Sequence, residues 1–271
     1  MVTIHASVRD KRGRPLLGLN TSDFEVLDNG LVRPILSLHS DARSPVSLAI
    51  LVDMSGSMRM GSKIAMARQA FDCVLSQLRG GEDEAALFTF DSELHQRRPF
   101  THDVATLRDA LSDFEAFGTT SLYDATAEAA RRLASRSATN KAIIVVTDGL
   151  DTSSTLTAAE VTGLASSIDV PVYIVATVPS GDQRAMMDDS NRTRRSGSAD
   201  LRDLAEWTGG QLVFSGTSFD SLSVASSLIA ELRQQYVLAI EAASAREWRR
   251  LGIRVKQPSA TVKARSGYFG G

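Results

Sequence analysis

Short apolar runs alternate with longer amphipathic segments from residue 45 to about residue 235. The uninterrupted apolar runs predict fully buried strands at residues 47–53, 85–90, 142–147 and 170–178. Apolar residues spaced three and four apart predict helices at residues 63–78, 104–114, 122–134, 157–168, 200–208 and 219–235, with a short strand at 212–214. Buried strands that alternate with helices predict an α/β fold, a three-layer, doubly wound, mostly parallel sheet covered by helices on both faces.

Both ends of the chain show the period-two alternation of strands instead. The alternating segments are residues 2–8, 23–27 and 31–38 near the start, and 236–241, 249–256 and 261–264 near the end. The sequence Asp-Asn-Gly at residues 28–30 is a strong hairpin signal. Because neither end has enough strands for a sheet of its own, we predict that residues 1–44 and 236–271 meet in one small β subdomain beside an α/β domain at residues 45–235.

Composition excludes several classes of function. The 30 Lys and Arg residues balance 32 Asp and Glu residues, which leaves a formal net charge of −2 and no basis for non-specific nucleic-acid binding. With Cys73 as the single cysteine, neither an intramolecular disulfide nor a cysteine-based zinc site is possible. No apolar run approaches the roughly 20 residues of a membrane span, and the residues after Met1 lack the apolar segment of a signal peptide. We therefore expect no nucleic-acid binding and no direct membrane insertion.

The most informative segment follows the first buried strand and reads Asp53-Met-Ser55-Gly56-Ser57. A carboxylate and two hydroxyls at alternate positions offer three hard oxygen ligands from one tight turn, and such ligands suit magnesium, manganese or calcium. Gly56 allows a sharp bend between the two serines. The alternative is that the serines only cap the next helix.

Two further loops are expected at the same edge of the sheet. Thr147-Asp148-Gly149 ends the strand at 142–147, so a second carboxylate follows a parallel strand. Residues 118–124 read Gly-Thr-Thr-Ser-Leu-Tyr-Asp and lead into a helix, where Thr120 or Ser121 either caps the helix or binds a metal. Parallel sheets bind ligands at the carboxyl ends of their strands, so the three loops are expected to converge.

Asp-x-Ser-x-Ser after a buried strand, Thr-x-Leu-Tyr opening a helix and Thr-Asp-Gly after a later strand together resemble the von Willebrand factor type A (VWA) domain. The flanking segments resemble its bacterial "VWFA-related" branch. The resemblance implies a metal-ion-dependent adhesion site with five ligands, which are Asp53, Ser55, Ser57, Thr120 and Asp148. It also implies Mg²⁺, with Mn²⁺ or Ca²⁺ as alternatives, and an extracellular or cell-envelope location.

The function predicted from this resemblance is divalent-metal-dependent protein–protein binding, in which a carboxylate of the partner protein completes the metal shell. The rim that selects the partner is predicted in residues 58–62, 117–121 and 150–154 and in the long polar loop at 180–199. The rim residues singled out are Met58, Met60, Thr119, Ser121 and Asp151. Met58 and Met60 either contact the partner or pack under the loop, and Asp151 is alternatively a helix or turn cap.

Two other functions fit the same residues. A metal beside two aspartates also occurs in hydrolases that transfer phosphoryl groups. Against this function, the four histidines lie outside the three loops, and the sequence lacks an Asp-x-Asp pair and the glycine pattern of a phosphate-binding loop. The other alternative is a structural scaffold with an inactive metal site. We predict that the protein is not an enzyme.

Overall fold

The structure, a computed structural model, describes residues 1–40, 43–111, 116–149, 151–177, 197–215 and 218–271. Two parts of the predicted rim, Leu150 and residues 180–196 of the long loop, lie outside the described residues. The end of that predicted loop, from Gly197, belongs to a helix. Among the described residues, no helix combines the length and apolar character that crossing a lipid bilayer requires.

The described chain contains fourteen strands and five α-helices. The strands are β1 (Val2–Arg9), β2 (Phe24–Asp28), β3 (Leu31–Arg33), β4 (Ile35–Ser40), β5 (Val46–Asp53), β6 (Glu84–Phe90), β7 (Leu94–Thr101), β8 (Asn140–Thr147), β9 (Val172–Ala176), β10 (Leu212–Phe214), β11 (Tyr236–Ile240), β12 (Trp248–Val255), β13 (Thr261–Ala264) and β14 (Gly267–Phe269). The helices are α1 (Lys63–Ser76), α2 (Leu122–Ala134), α3 (Ala158–Ser167), α4 (Gly197–Trp207) and α5 (Ser218–Arg233). Three 3-10 helices cover Thr21–Asp23, Gly56–Arg59 and Val104–Leu111.

The central sheet has six strands in the order β10-β9-β8-β5-β6-β7. All neighbours are parallel except the β6–β7 pair. The chain proceeds outward from β5 to β6 and β7, and then crosses back to β8, beside β5 on its other side. This reversal creates a topological switch point at the carboxyl ends of β5 and β8, which is where open α/β sheets bind ligands.

Helices cover both faces of this sheet, because the side chains of its buried strands alternate between two cores. In β5, Leu48 and Ile50 pack with α1, α5 and the 3-10 helix Val104–Leu111. Ala49 and Leu51 face the opposite core, formed with α2, α3 and α4. The predicted three-layer, mostly parallel α/β fold is therefore confirmed.

Strands from both ends of the chain interleave in two four-stranded sheets, with orders β13-β1-β11-β4 and β14-β12-β2-β3. β1 lies between β11 and β13, with Ile4 opposite Leu238 and Val8 opposite Val262. The two sheets share one apolar core. We call this eight-stranded unit the annex; it is the β subdomain expected from both termini.

Four elements differ from the sequence prediction. The strand predicted at 31–38 is divided into β3 and β4, which lie in different sheets. The edge strand β7 and the last strand β14 were not predicted. The segment predicted as a helix at 104–114 forms a 3-10 helix over Val104–Leu111, and residues 112–114 lie outside the described part. Its inward residues Val104, Leu107 and Ala110 are three apart, the spacing at which side chains align along a 3-10 helix.

Candidate functional site

The carboxylate of Asp53 lies at the switch point, at the end of β5, and the residue is fully buried. Its Oδ1 accepts a hydrogen bond from the backbone N–H of Ser55 at 2.8 Å, and its Oδ2 accepts one from the Thr147 hydroxyl at 2.6 Å. In the described part of the chain it forms no ion pair with a basic side chain. A buried carboxylate that lacks a cation is costly in free energy.

This environment changes the acidity of Asp53. Burial raises the pKa of its carboxyl from 3.8 to about 6, and the nearby Asp148 carboxylate acts in the same direction. The hydrogen bonds from Thr147 and Ser55 act in the opposite direction but do not offset burial. Asp53 is therefore mostly charged at neutral pH, although burial disfavours the charged form.

A chain of hydrogen bonds joins the serine turn to Asp148. The hydroxyls of Ser55 and Ser57 lie 3.1 Å apart, and the Ser57 hydroxyl donates to Oδ1 of Asp148 at 3.0 Å. The turn continues as the 3-10 helix Gly56–Arg59, but neither serine hydroxyl caps a helix in the described structure. The capping alternative for the serines is therefore not observed.

The loop that carries Thr120 touches the serine turn through two glycines. The N–H of Gly56 donates to the carbonyl of Gly118 at 2.9 Å, and a Cβ at Gly56 would lie 3.3 Å from that oxygen. Gly118 has φ +87°, a conformation that favours glycine. Thr120 is buried two residues later, and its N–H donates to the Thr152 hydroxyl at 2.9 Å. The Thr120 side chain takes no part in the hydrogen-bond chain between Ser55 and Asp148.

The predicted rim divides into exposed and buried residues. Met60 is 67% exposed and Thr119 is also exposed, so both are accessible to a partner. Met58 is fully buried and packs in the core beside α1, so its predicted rim position is wrong. The reason is that the 3-10 helix turns this one apolar residue inward while the polar residues on either side face outward.

Ser121 and Asp151 both form hydrogen bonds that hold neighbouring loops together. Ser121 is 4% exposed, and its hydroxyl lies 2.8 Å from that of Ser153. The Asp151 carboxylate accepts hydrogen bonds from the N–H groups of Tyr123 and Ser154, each at 3.0 Å. Asp151 therefore caps the first turn of α2, as its alternative assignment predicted, and because it is half-buried its rim assignment stays a prediction. Ser121 is too buried for the rim.

Sequence reasoning missed Lys63, whose Nζ lies 2.7 Å from Oδ2 of Asp148. Lys63 is the first residue of α1. A positive charge is unfavourable at the N-terminus of a helix, where the backbone dipole is itself positive. A lysine at the start of a predicted helix was therefore the signal in the sequence that an acidic group lies nearby.

The donor set fits a hard divalent cation. Two carboxylates and the hydroxyls of neighbouring loops are oxygen ligands of the kind that Mg²⁺ and Mn²⁺ accept, and the buried Asp53 charge lacks a basic partner. The described residues contain no cluster of three or more His, Cys, Asp or Glu residues that could hold a metal. A site here therefore depends on hydroxyls as much as on carboxylates.

Comparisons with known proteins show what part of the chain resembles a known family. The family model of the von Willebrand factor type A domain matches residues 48–150. This range includes all five predicted metal ligands. No curated protein sequence matches the chain.

Several solved structures share the fold. A von Willebrand factor type A protein from Catenulispora acidiphila has a TM-score of 0.59 at 16% identity, over 94% of this chain and 65% of that one. An aerotolerance-related membrane protein from Bacteroides fragilis has a TM-score of 0.54 at 20% identity, over 69% of this chain and 98% of that one. Proximal thread matrix protein 1 from the mussel byssus, solved with a zinc-occupied MIDAS motif, has a TM-score of 0.56 at 14% identity, over 75% of this chain and 49% of that one. The chain is therefore similar to the von Willebrand factor type A domain over residues 48–150, and it shares its fold with these solved structures.

Proposed function

We propose that the protein binds a divalent cation at the switch point and uses it to bind other proteins. Asp53, Ser55, Ser57, Thr120 and Asp148 are the proposed ligands. Mg²⁺ is the proposed ion, with Mn²⁺ or Ca²⁺ as alternatives. The zinc-occupied MIDAS motif of the mussel byssus protein supports a metal at this place in the fold.

The observation that carries the proposal is the buried, unpaired carboxylate of Asp53. Folding places it beside Asp148 and hydroxyl groups, although burial alone opposes its charge. A divalent cation would compensate that charge and would supply electrostatic attraction for an anionic group of a partner. With two carboxylates and otherwise neutral oxygens, the ligand set leaves a divalent ion part of its positive charge. We therefore propose that the partner offers a carboxylate.

The exposed side of the site supports the same proposal. Ser57 is exposed, and Met60 and Thr119 lie on the two loops that Gly56 and Gly118 join. A partner carboxylate at the ion would therefore be flanked by an apolar side chain and a hydroxyl.

We propose a binding protein and not an enzyme. In the described part of the chain, none of the four histidines forms a hydrogen bond or an ion pair with the five proposed ligands. The basic group at the site, Lys63, is already paired with Asp148. Among the described residues, neither a histidine nor Lys63 is thus placed as a free general base, which metal-dependent hydrolysis would need.

We further propose that residues 45–235 form the binding domain and that residues 1–44 and 236–271 form the annex. An extracellular or cell-envelope location is part of the same proposal. The similarity to a bacterial membrane protein supports it.

Isothermal titration calorimetry with Mn²⁺ and Mg²⁺ at pH 7.5 tests the ion site. The wild-type protein is expected to bind one ion, and Asp53→Ala and Asp148→Ala are expected to lose binding. The matched control is Asp103→Ala. Asp103 is an exposed acid just after β7, and it lies near the amino ends of the parallel strands, opposite to the site. If both site variants bind like the wild type, the proposed site is wrong.

A second experiment tests the carboxylate ligand. Water-proton relaxation of the Mn²⁺-loaded protein reports exchangeable water on the ion. Acetate, as the simplest carboxylate, is expected to displace that water and lower the relaxation rate, whereas acetamide is not. Equal effects of acetate and acetamide, or no exchangeable water at the outset, would contradict the proposed mode of partner binding.

A further inference from the structure

Lys63 binds one of the two carboxylates proposed as metal ligands. Its Nζ lies 2.7 Å from Oδ2 of Asp148, while Ser57 donates to Oδ1 at 3.0 Å. Both oxygens of Asp148 are thus occupied by donors of the chain itself. The Asp148 side chain is only 7% exposed and that of Lys63 22%, so water screens this pair less than a surface ion pair.

The position of Lys63 in its helix gives an independent reason to look for a role. Lys63 begins α1, and the first turn of that helix contains no acidic residue to balance its charge. A lysine at a helix N-terminus is disfavoured by the dipole. Helix formation therefore does not explain this residue, whereas pairing with Asp148 does.

The two carboxylates consequently differ in what balances their charge. Asp148 has an ammonium group against it, and Asp53 has hydrogen-bond donors only. Counting formal charges, the two aspartates and Lys63 sum to −1 − 1 + 1 = −1. A divalent ion that approaches the site meets one ammonium charge that the proposed function does not need.

We propose that Lys63 is an internal competitor of the divalent ion, which neutralises Asp148 when no ion is bound and limits the affinity of the site. This inference rests on the proposed function of the same site. The ammonium is a compact charge on a flexible four-carbon stem, and its partial exposure leaves a path to solvent. Ion binding then requires Lys63 either to leave Asp148 or to remain beside the ion and repel it, and both lower the affinity.

Calorimetry with Mn²⁺ on Lys63→Met tests the competition directly. We expect the dissociation constant to fall at least tenfold, since one positive charge within contact distance of a ligand is removed. Lys63→Gln, which keeps a hydrogen-bond donor without the charge, is expected to shift the same way and serves if the methionine variant folds poorly. The matched control is Lys141→Met. Lys141 lies at the start of β8, at the end of the strand opposite to the site, and its Nζ donates to the Ala134 carbonyl.

Thermal melting provides a readout that does not depend on calorimetric heat. Without metal, Lys63→Met is expected to melt at a lower temperature than the wild type, because Asp148 loses its partner. With saturating Mn²⁺ the variant is expected to gain more in melting temperature than the wild type, because tighter binding stabilises the native state further.

The outcomes separate this inference from the proposed function. Tighter binding by both Lys63 variants but not by Lys141→Met supports the competition. Binding by the wild type with an equal or higher dissociation constant in both Lys63 variants overturns the competition alone, as does equal tightening in Lys141→Met. Absence of binding in the wild type and in every variant overturns the proposed function together with this inference.

Discussion

At the scale of single residues, the charge that Asp53 needs as a metal ligand lowers the stability of the metal-free protein. Burial raises the pKa of its carboxyl to about 6, so in the metal-free protein the charged form is disfavoured. A group whose pKa is raised on folding stabilises the native state below its unfolded value and loses that contribution as pH rises through its folded value. Between pH 4 and pH 7, the shift of about two pKa units therefore removes about 3 kcal/mol of stability from the metal-free protein.

Asp53→Asn is expected to stabilise the metal-free protein above pH 6, by up to about 3 kcal/mol, because it removes the buried charge and retains an acceptor for Ser55. Saturating Mn²⁺ is expected to reverse the order, since only the wild type gains binding energy. Urea unfolding at pH 5 and pH 8, with EDTA and with Mn²⁺, measures both effects. Asp103→Asn should show neither, and an Asp53 variant that is less stable than the wild type at pH 8 in EDTA would contradict the argument.

Gly56 is the other residue at which the site tolerates little change. A methyl group there would lie 3.3 Å from the Gly118 carbonyl oxygen, to which the Gly56 N–H donates. Gly56→Ala is therefore expected to separate the two loops by a few tenths of an ångström and to weaken Mn²⁺ binding severalfold in calorimetry. Gly80→Ala is the control, because its added Cβ meets no atom within 4 Å. Unchanged affinity in Gly56→Ala would show that the contact does not position ligands.

At the scale of elements, sequence patterns predicted the buried strands well because burial on both faces leaves long apolar runs. β5 and β8 are the clearest cases, and the edges of both were placed within two residues. β7 was missed because it is an edge strand, is mostly polar and contains Pro99, so its sequence resembles a loop. β14 has only three residues, too few for a periodicity to be recognised.

The candidate site was predictable to the extent that its residues sit at strand ends. Asp53 and Asp148 follow from the positions of β5 and β8. Lys63 and the inward turn of Met58 did not follow, since they depend on how α1 and the 3-10 helix before it are oriented. A sequence specifies which strand end carries a residue more directly than it specifies the rotation of a short helix.

Asp124 on α2 holds the loop that follows β8. Its carboxylate accepts hydrogen bonds from the N–H groups of Thr155 and Leu156, each at 2.9 Å, and contacts the Thr155 hydroxyl. The same loop contacts Thr120 through Thr152. These bonds lower the pKa of Asp124 although partial burial alone would raise it.

Asp124→Ala is expected to lower the free energy of unfolding by roughly 1–3 kcal/mol, the range for leaving such donors without their charged acceptor. It is also expected to weaken Mn²⁺ binding, because the loop that positions Thr120 loses its anchor. Urea unfolding and calorimetry measure the two effects. Asp124→Asn, which keeps one acceptor oxygen, should be intermediate. A stability loss without any change in ion affinity would show that the loop does not support the site.

At the scale of the whole molecule, buried charges connect the annex to the α/β domain. Glu231 on α5 is almost fully buried and pairs with Arg9 of β1 at 2.8 Å and with Lys263 of β13 at 3.2 Å. Its Oε1 also accepts a hydrogen bond from Tyr173 of β9. A carboxylate of the α/β domain thus binds two strands that come from opposite ends of the chain.

The annex itself was only partly predictable, because four of its six strand pairs join distant parts of the chain. The Asn29-Gly30 turn was recognised locally, and both residues have the positive φ values of such a turn. The strand expected at 31–38, however, is divided at Pro34, with β3 and β4 in different sheets. Proline lacks the N–H that would continue a ladder. β3 pairs locally with β2, whereas β4 joins its sheet through β11, a partner about 200 residues away.

Glu231→Ala is expected to weaken the connection between the two units. We expect a loss of about 3 kcal/mol in the free energy of unfolding, the lower end of the range for removing one member of a buried ion pair. The lower end applies because the side chains of Arg9 and Lys263 are 20% and 27% exposed. Two single-tryptophan variants place one fluorescence probe in each unit. Trp207→Phe leaves Trp248 in β12 of the annex, and Trp248→Phe leaves Trp207 at the end of α4.

With Glu231 present, both fluorescence probes are expected to give the same urea midpoint, since one cooperative transition moves all probes together. With Glu231→Ala, the Trp248 signal is expected to change at lower urea than the Trp207 signal. Glu128→Ala, at a half-exposed residue paired with Arg132 within α2, is the control and should change the free energy of unfolding reported by either probe by no more than about 0.5 kcal/mol. If Glu231→Ala moves both midpoints equally, the annex and the α/β domain unfold as one unit, and Glu231 adds stability without controlling their connection.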